Sequence, residues 1–427
     1  MTVYFAIGLM IVLMLVGMPI GFSLGITAIA SLAIIVPPAT IFSLMTNVVH
    51  QATANYVLLT IPMFVLMAEF LAAGGVAEDL LLACNRLLRK IRGGMAMACI
   101  LAGTVHAAAT GSSVASAASL ARASYPAMMK AGYASSFAVG TVAIAGTLAI
   151  MIPPSVPFVL YGLVTGTSIG KLFIAGIVPG LLTALGYILT ISLTLWLKPN
   201  LGPDPKLETK FAADATNKGK VWPMVTLVAL IITGLYSGLA TPTEISAVGA
   251  LGALIISYLT GRMTGANFNH AVGGTVRITT MIIVIMFSAH LLGAFVTYSK
   301  VTEQMLNWIT VSGLSPNLVM VGVVLIYLLL GAFLDQGAII ILTAPVTCAL
   351  MAGLGFDPLW WGVVIIKTAE IGLVHPPLGI VTFVVSSATK TDLKSNYIGV
   401  IPYIITELIL LSMLVAWPQL SLWLVNQ

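Results

Sequence analysis

Apolar runs long enough to cross a bilayer recur from one end of the chain to the other, separated by short polar or basic patches. About 18 to 20 apolar residues in a helix span the hydrocarbon core. The pattern predicts helices over residues 3–17 and 19–36, divided at Gly17-Met18-Pro19-Ile20-Gly21, then an uncharged loop over 37–52 and a crossing over 53–73. Residues 76–92 read differently. Glu78 and Asp79 open this stretch, Arg86, Arg89, Lys90 and Arg92 close it, and leucines fill the middle. That order complements a helix dipole and predicts an amphipathic helix lying in the membrane interface. Over residues 93–130, apolar turns are interrupted by Ala109-Thr110-Gly111-Ser112-Ser113-Val114-Ala115-Ser116, with Arg92, Arg122 and Lys130 around the ends. Each arm is short for a crossing, so the stretch predicts a re-entrant hairpin.

The next run, 133–165, contains Ile150-Met151-Ile152-Pro153-Pro154-Ser155. Proline lacks an amide donor and clashes with the preceding turn, so this helix should break in mid-membrane. A crossing at 171–197 and a polar linker at 198–221 follow. The plan then repeats. Crossings are expected at 222–239, 243–261 and 275–297, an interfacial helix at 300–312, and a hairpin at 314–353 with Phe333-Leu334-Asp335-Gln336-Gly337-Ala338 at its tip. A second broken helix at 358–388 carries Leu373-Val374-His375-Pro376-Pro377-Leu378, and a final crossing covers 396–424. A shift of 223 residues carries Pro153 onto Pro376, Pro179 onto Pro402, Met63-Phe64 onto Met286-Phe287 and Pro19 onto Pro242. One offset across the chain indicates an internal duplication.

The division is therefore 1–52 and 222–274 as paired helices, 53–92 and 275–312 each as a crossing plus an interfacial helix, 93–197 and 313–427 each as a hairpin, a broken helix and a crossing, and 198–221 as a linker. With the N-terminus outside, all basic residues fall inside except Lys171, Lys300 and, within a helix, Lys367, among 18 in total. This obeys the positive-inside bias and makes the two repeats inverted, with hairpins entering from opposite faces. The fold class is an all-α polytopic membrane protein of two inverted repeats, each with a hairpin and a broken helix. Charged residues make up 7% of the chain and hydrophobic ones 59%, which excludes an ordinary soluble domain. The net charge of +5 is too modest and too loop-bound for a nucleic-acid partner; membrane lipid is the expected surroundings. The first run has no basic n-region and reads as a retained helix. Three cysteines without CxxC spacing give no disulfide or metal framework.

Two broken helices in corresponding places point to a secondary transporter's binding site. At the first tip, Thr110, Ser112 and Ser113 offer hydroxyls, and the break after Gly146-Thr147 offers carbonyls, the uncharged oxygens that sodium takes. The same serines also suit simple helix packing. At the second tip Asp335, with Gln336 and Gly337, ligates a cation, caps the hairpin helix, or does both. Opposite lie Glu370 and Gly372. Lys367–Glu370 reads equally as a local ion pair. Glu69 and Glu407 receive no assignment. Candidate substrate contacts are Thr110, Ser112, Pro153, Asp335, His375 and Pro376, although His375, like His106, also suits a satisfied buried histidine. The helix N-termini at tips and breaks favour an anionic substrate. No GxxxxGK[ST] motif supports direct ATP use, and no GxSxG accompanies the serines and histidines, so the chain does not read as an enzyme.

The Gly-Ser-Ser tip, the two Pro-Pro breaks and Ala240-Thr241-Pro242-Thr243-Glu244-Ile245-Ser246-Ala247-Val248-Gly249-Ala250 resemble the large membrane subunit of tripartite ATP-independent periplasmic (TRAP) transporters. The likeness covers essentially the whole chain. It implies an elevator-type ion-transporter fold in a bacterial inner membrane, with the N-terminus periplasmic. It implies sodium-coupled import of an organic acid, sialic acid favoured and C4-dicarboxylate next, delivered by a periplasmic binding protein. A small membrane subunit is expected as a separate chain. Two or more sodium sites are implied, one at Ser112, Ser113, Gly146 and Thr147, another at Asp335, Gln336, Gly337, Glu370 and Gly372. The rival reading is a related permease, for dicarboxylate or arsenite, that needs no binding protein.

Overall fold

The computed structural model describes residues 2–54, 56–88, 90–204, 222–377 and 379–427, without the side chains of Gln51, Ala52, Thr53 and Ala109. Most of the expected linker, with Lys206, Lys210, Lys218 and Lys220, lies outside the described residues, as do Arg89 and Leu378. Among the described residues the chain is helical and has no strand.

The first repeat runs α1 (Thr2–Leu15), α2 (Ile20–Ile35), α3 (Pro38–Ala54), a 3-10 turn (Tyr56–Leu59), α4 (Thr60–Ala73) and α5 (Val76–Leu88). Hairpin helices α6 (Gly94–Thr110) and α7 (Ser113–Lys130), broken-helix halves α8 (Ser135–Met151) and α9 (Val156–Thr165), and α10 (Ile169–Leu197) complete it. The second repeat runs α11 (Trp222–Tyr236), α12 (Pro242–Leu259), α13 (Gly265–Ser299), α14 (Val301–Ser312), hairpin α15 (Pro316–Gly331) and α16 (Gln336–Gly353), broken halves α17 (Pro358–Gly372) and α18 (Ile380–Thr389), α19 (Leu393–Ala416) and the short α20 (Gln419–Leu422). Among the described residues seven segments are long and apolar enough to cross a membrane; the α8–α9 pair counts as one.

The 223-residue shift matches helix to helix, and the packing is reciprocal. Its mates are α2 with α12, α4 with α13, α7 with α16, α9 with α18, α8 with α17, and α10 with α19. In space α2 packs on α13 while α4 packs on α12, and α7 packs on α18 while α16 packs on α9. The same exchange joins α8 to α19 and α10 to α17. Contacts that swap between mates in this way are the mark of a pseudo-twofold relation. Each hairpin is thus braced by the other repeat's half-helix.

Residues 37–52 are not a loop. They form α3, and the signal is Ile41, Leu44, Met45 and Val48, an i, i+3, i+4, i+7 stripe hidden among Thr, Asn and His. That stripe packs against Leu32 of α2 and Leu291 and Phe295 of α13. The mate of α3 is the beginning of α13, which runs unbroken for 35 residues where a crossing over 275–297 was expected. In the first repeat the equivalent of this helix divides at the 3-10 turn.

Small residues set the closest approaches. A Cβ on Gly331 would lie 2.9 Å from the Cα of Gly372, so α15 and α17 meet backbone to backbone. Gly140 and Gly399 do the same for α8 and α19. The outward faces are apolar: Leu181, Leu185, Leu189 and Leu193 form an exposed stripe along α10, which suits lipid. Helix α5 buries Val76, Ala77, Leu80, Leu81 and Cys84 and keeps its acids in the first turn and Arg86 in the last. Burial raises the Cys84 thiol to about 11.

Candidate functional site

The two hairpin tips meet. Thr110, Gly111, Ser112 and Ser113 line one cavity of about 580 Å³ together with Asp335, Gln336 and Gly337. Its remaining walls are the flanks of both breaks (Val156, Pro157, Leu373, Ile380) and helices α4 and α13.

Local sequence builds each tip. Gly111 closes α6 in the left-handed conformation, φ 56°, which a side chain resists. Its Cα sits against the first break: a Cβ there would lie 3.2 Å from Pro154 O, and Val156 N donates to Gly111 O at 3.3 Å. Ser112 then starts α7, its hydroxyl accepting from Ala115 N at a long 3.5 Å. At the second tip Asp335 is the N-cap of α16. Its Oδ1 accepts from Gly337 N at 2.9 Å and Ala338 N at 3.2 Å, and both bonds use that one oxygen. Both Pro-Pro bonds, Pro153-Pro154 and Pro376-Pro377, are cis.

Three electrostatic features follow. First-turn residues of α7, α9, α16 and α18 all line the cavity, so four helix N-termini converge on it. Each brings a positive dipole end, although first-turn amides are already taken by Asp335 in α16, Gly111 O in α9, Leu373 O in α18 and the Ser112 hydroxyl in α7. The charged side chains on the cavity wall are Asp335 and Glu69, both acids. Two buried oxygens, Ser113 Oγ and Gln336 Oε1, one at each tip, have no hydrogen-bond partner. Buried polar atoms are rarely left unpaired, and such exceptions mark a strained or ligand-binding place.

The DctM component of the tripartite ATP-independent periplasmic transporters matches this chain over residues 7–420. The chain belongs to this family. A C4-dicarboxylate TRAP transporter large permease protein of Pseudomonas aeruginosa is 34% identical over 377 residues, covering 88% of each chain. A sialic acid TRAP transporter large permease protein of Vibrio cholerae is 28% identical, covering 96% of each. In fold the chain is similar to the YdaH transporter of Alcanivorax borkumensis, with a TM-score of 0.62 at 16% identity over 90% of each chain. This TRAP large permease is accordingly a multi-pass membrane transporter subunit and not an enzyme.

The structure gathers Thr110, Ser112, Ser113, Asp335, Gln336 and Gly337 at the cavity and places the other sequence candidates elsewhere. Gly146 is fully enclosed, and a Cβ on it would come within 2.6 Å of Ala117 Cα, so its place is the α7–α8 contact. Thr147 is buried and bonds Ile144 O at 2.9 Å. Pro153 is buried behind the tip and does not line the cavity. Gly372 serves the α15–α17 approach. His375 and Pro376 are exposed and off the cavity wall, and the His375 ring bonds its neighbour's carbonyl, so the buried-histidine reading does not hold for His375. His106 is buried, with neither ring nitrogen paired. Glu370 is 1% exposed and pairs with Lys367 at 2.9 Å, away from the tips. Sequence reasoning missed Glu69 as a cavity residue. Its signal was an acid within an apolar crossing, functional by default.

Proposed function

We propose that this TRAP large permease imports an organic anion by sodium-coupled alternating access, with the substrate held between the two tips. The observation that carries the reading is the cavity itself: four helix N-termini, two acids and no basic side chain on one wall. Converging positive dipole ends favour an anion. Asp335 and Glu69 oppose it, so an anionic substrate requires cations bound with it, which couples the two. Ser113 Oγ, Gln336 Oε1 and the Asp335 oxygen not used by the α16 amides are the oxygens offered to sodium. Thr110 and Ser112 are the substrate's hydroxyl contacts. Glu370, Gly372, Gly146 and Thr147 are left out of this assignment.

The reciprocal packing supports an elevator. The α6–α10 and α15–α19 helices form one interlocked body, α2, α4, α12 and α13 form another, and the cavity lies where they meet. The first body moves and carries the tips; the second stays as the scaffold. We place the chain in the inner membrane, N-terminus periplasmic, with a small membrane subunit and a periplasmic binding protein as partners. For substrate, the higher identity to a relative named for C4-dicarboxylate makes that class the first to test, ahead of sialic acid.

The site assignment is tested by sodium-dependent thermal stabilisation of the purified chain. Sodium is expected to raise the melting temperature over potassium, and Asp335→Ala or Ser113→Ala to remove most of that rise while the protein still expresses. An undiminished sodium shift in both variants would sink the assignment.

A further inference from the structure

A second charged cluster lies inside the moving body, apart from the tips. Lys367 is 0% exposed, Glu370 1% and Glu407 0%. The Lys367 ammonium donates to Glu370 Oε2 at 2.9 Å and to Thr183 Oγ1 at 2.9 Å, and lies 2.6 Å from Glu407 Oε2. The Tyr187 hydroxyl donates to Glu407 Oε1. The groups facing Glu370 are Lys367 on its own helix, Glu407 from α19, Tyr187 from α10 and, from α8, the Thr147 hydroxyl.

The count of charges does not balance. Two ionised carboxylates against one ammonium leave a net negative charge with no solvent. An uncompensated buried charge costs several kcal/mol, and such a group neutralises instead. We propose that this cluster is a resident-proton site, with the proton on Glu370 Oε1.

The geometry selects that atom. Glu407 Oε1 already receives the tyrosine proton, and Glu407 Oε2, although it too has no aligned hydrogen bond, lies 2.6 Å from the ammonium, so a proton on either would meet another proton. Glu370 Oε2 receives the ammonium's hydrogen bond. Glu370 Oε1 is buried and receives nothing. Beside this carboxyl, Thr147 donates to Ile144 O at 2.9 Å and lies 3.4 Å from the Tyr187 hydroxyl, whose own proton goes to Glu407, so a lone pair of Thr147 Oγ1 stays open. A proton on Glu370 Oε1 turns an orphan acceptor into a donor, with the neighbouring Thr147 hydroxyl as its proposed acceptor. Lys367 and Glu407 then form a one-to-one ion pair, and the cluster is neutral.

Thr147 and Glu370 are also equivalents under the 223-residue shift, one on each long half of the two broken helices. The proton therefore bridges the two repeats at their common centre. The cluster is closed and shares no wall with the tip cavity, so its proton is held in place and not transported.

The test compares Glu370→Gln with Glu407→Gln in the full-length chain, by melting temperature, uptake and infrared difference spectroscopy. Gln at 370 reproduces the protonated acid, one oxygen accepting from Lys367 and the amide donating to Thr147. It is expected to keep wild-type melting and uptake. Glu407→Gln removes the only ionised partner and is expected to lose most folded protein. In the spectra, wild type should show a buried carboxylic-acid carbonyl band, sensitive to deuterium, that disappears in Glu370→Gln. This comparison stands even if the other variant fails to fold. No such band in wild type, a band that survives Glu370→Gln, or tolerance of Glu407→Gln in place of Glu370→Gln would each overturn the proposal.

Discussion

Glycine placement decides much of this molecule at the residue scale. A membrane helix pair gains nothing from hiding apolar surface, so close backbone packing has to hold it. Gly331 against Gly372 and Gly140 against Gly399 are such contacts. Gly331→Val must push α15 from α17, and overpacking of this kind costs about 1–3 kcal/mol. Gly8 has no neighbour within 4 Å of its Cβ position and serves as control. Gly331→Val should lower the melting temperature by several degrees while Gly8→Val leaves it unchanged; equal effects would mean the close approach carries no energy. The tip residues were legible in the sequence because hydroxyls, glycine and an acid stand out inside apolar runs. Glu407 was not legible as Lys367's partner: the two lie on different helices, and only packing of α17 on α19 joins them. Gly146 misled for the opposite reason, since a glycine before a break looks like an exposed carbonyl when it is in fact a packing contact.

At the scale of elements, the breaks, hairpins and internal duplication followed directly from proline, charge and periodicity. What the pattern concealed was α3, whose stripe is diluted by polar residues, and the continuity of α13 through a stretch that reads as polar. Connections between elements were hidden as well. Arg262, in the turn between α12 and α13, donates to the carbonyls of Gly74 at 2.8 Å and Gly75 at 3.1 Å and to both oxygens of Asp79 at 3.1 and 3.3 Å. One guanidinium thus caps α4 and ties α5 to the turn between α12 and α13, a fork that lysine cannot reproduce. The pair is partly exposed, so a double-mutant cycle of Arg262→Ala with Asp79→Ala should return about 0.5–1 kcal/mol of coupling. Proteolysis near residues 74–90 should rise in the Arg262 variant. A cycle that closes to zero would reduce the contact to a surface ornament.

For the whole molecule, the reciprocal packing of mates explains how two inverted halves create one site. Each hairpin leans on the other repeat, and the tips are thereby brought to one cavity where four dipole ends and two acids face each other. On the proposed reading the charge pattern makes the transport cycle ion-dependent: the dipole ends attract an anion, the acids demand a cation, and neither is accommodated well alone. The most direct measurement is uptake of radiolabelled C4-dicarboxylate, and of sialic acid in parallel, into proteoliposomes holding this chain and its small subunit, each with the matching periplasmic binding protein. Uptake of one of them is expected to need both the binding protein and an inward sodium gradient, and to collapse when potassium replaces sodium. Uptake that proceeds at the same rate without sodium would contradict the account.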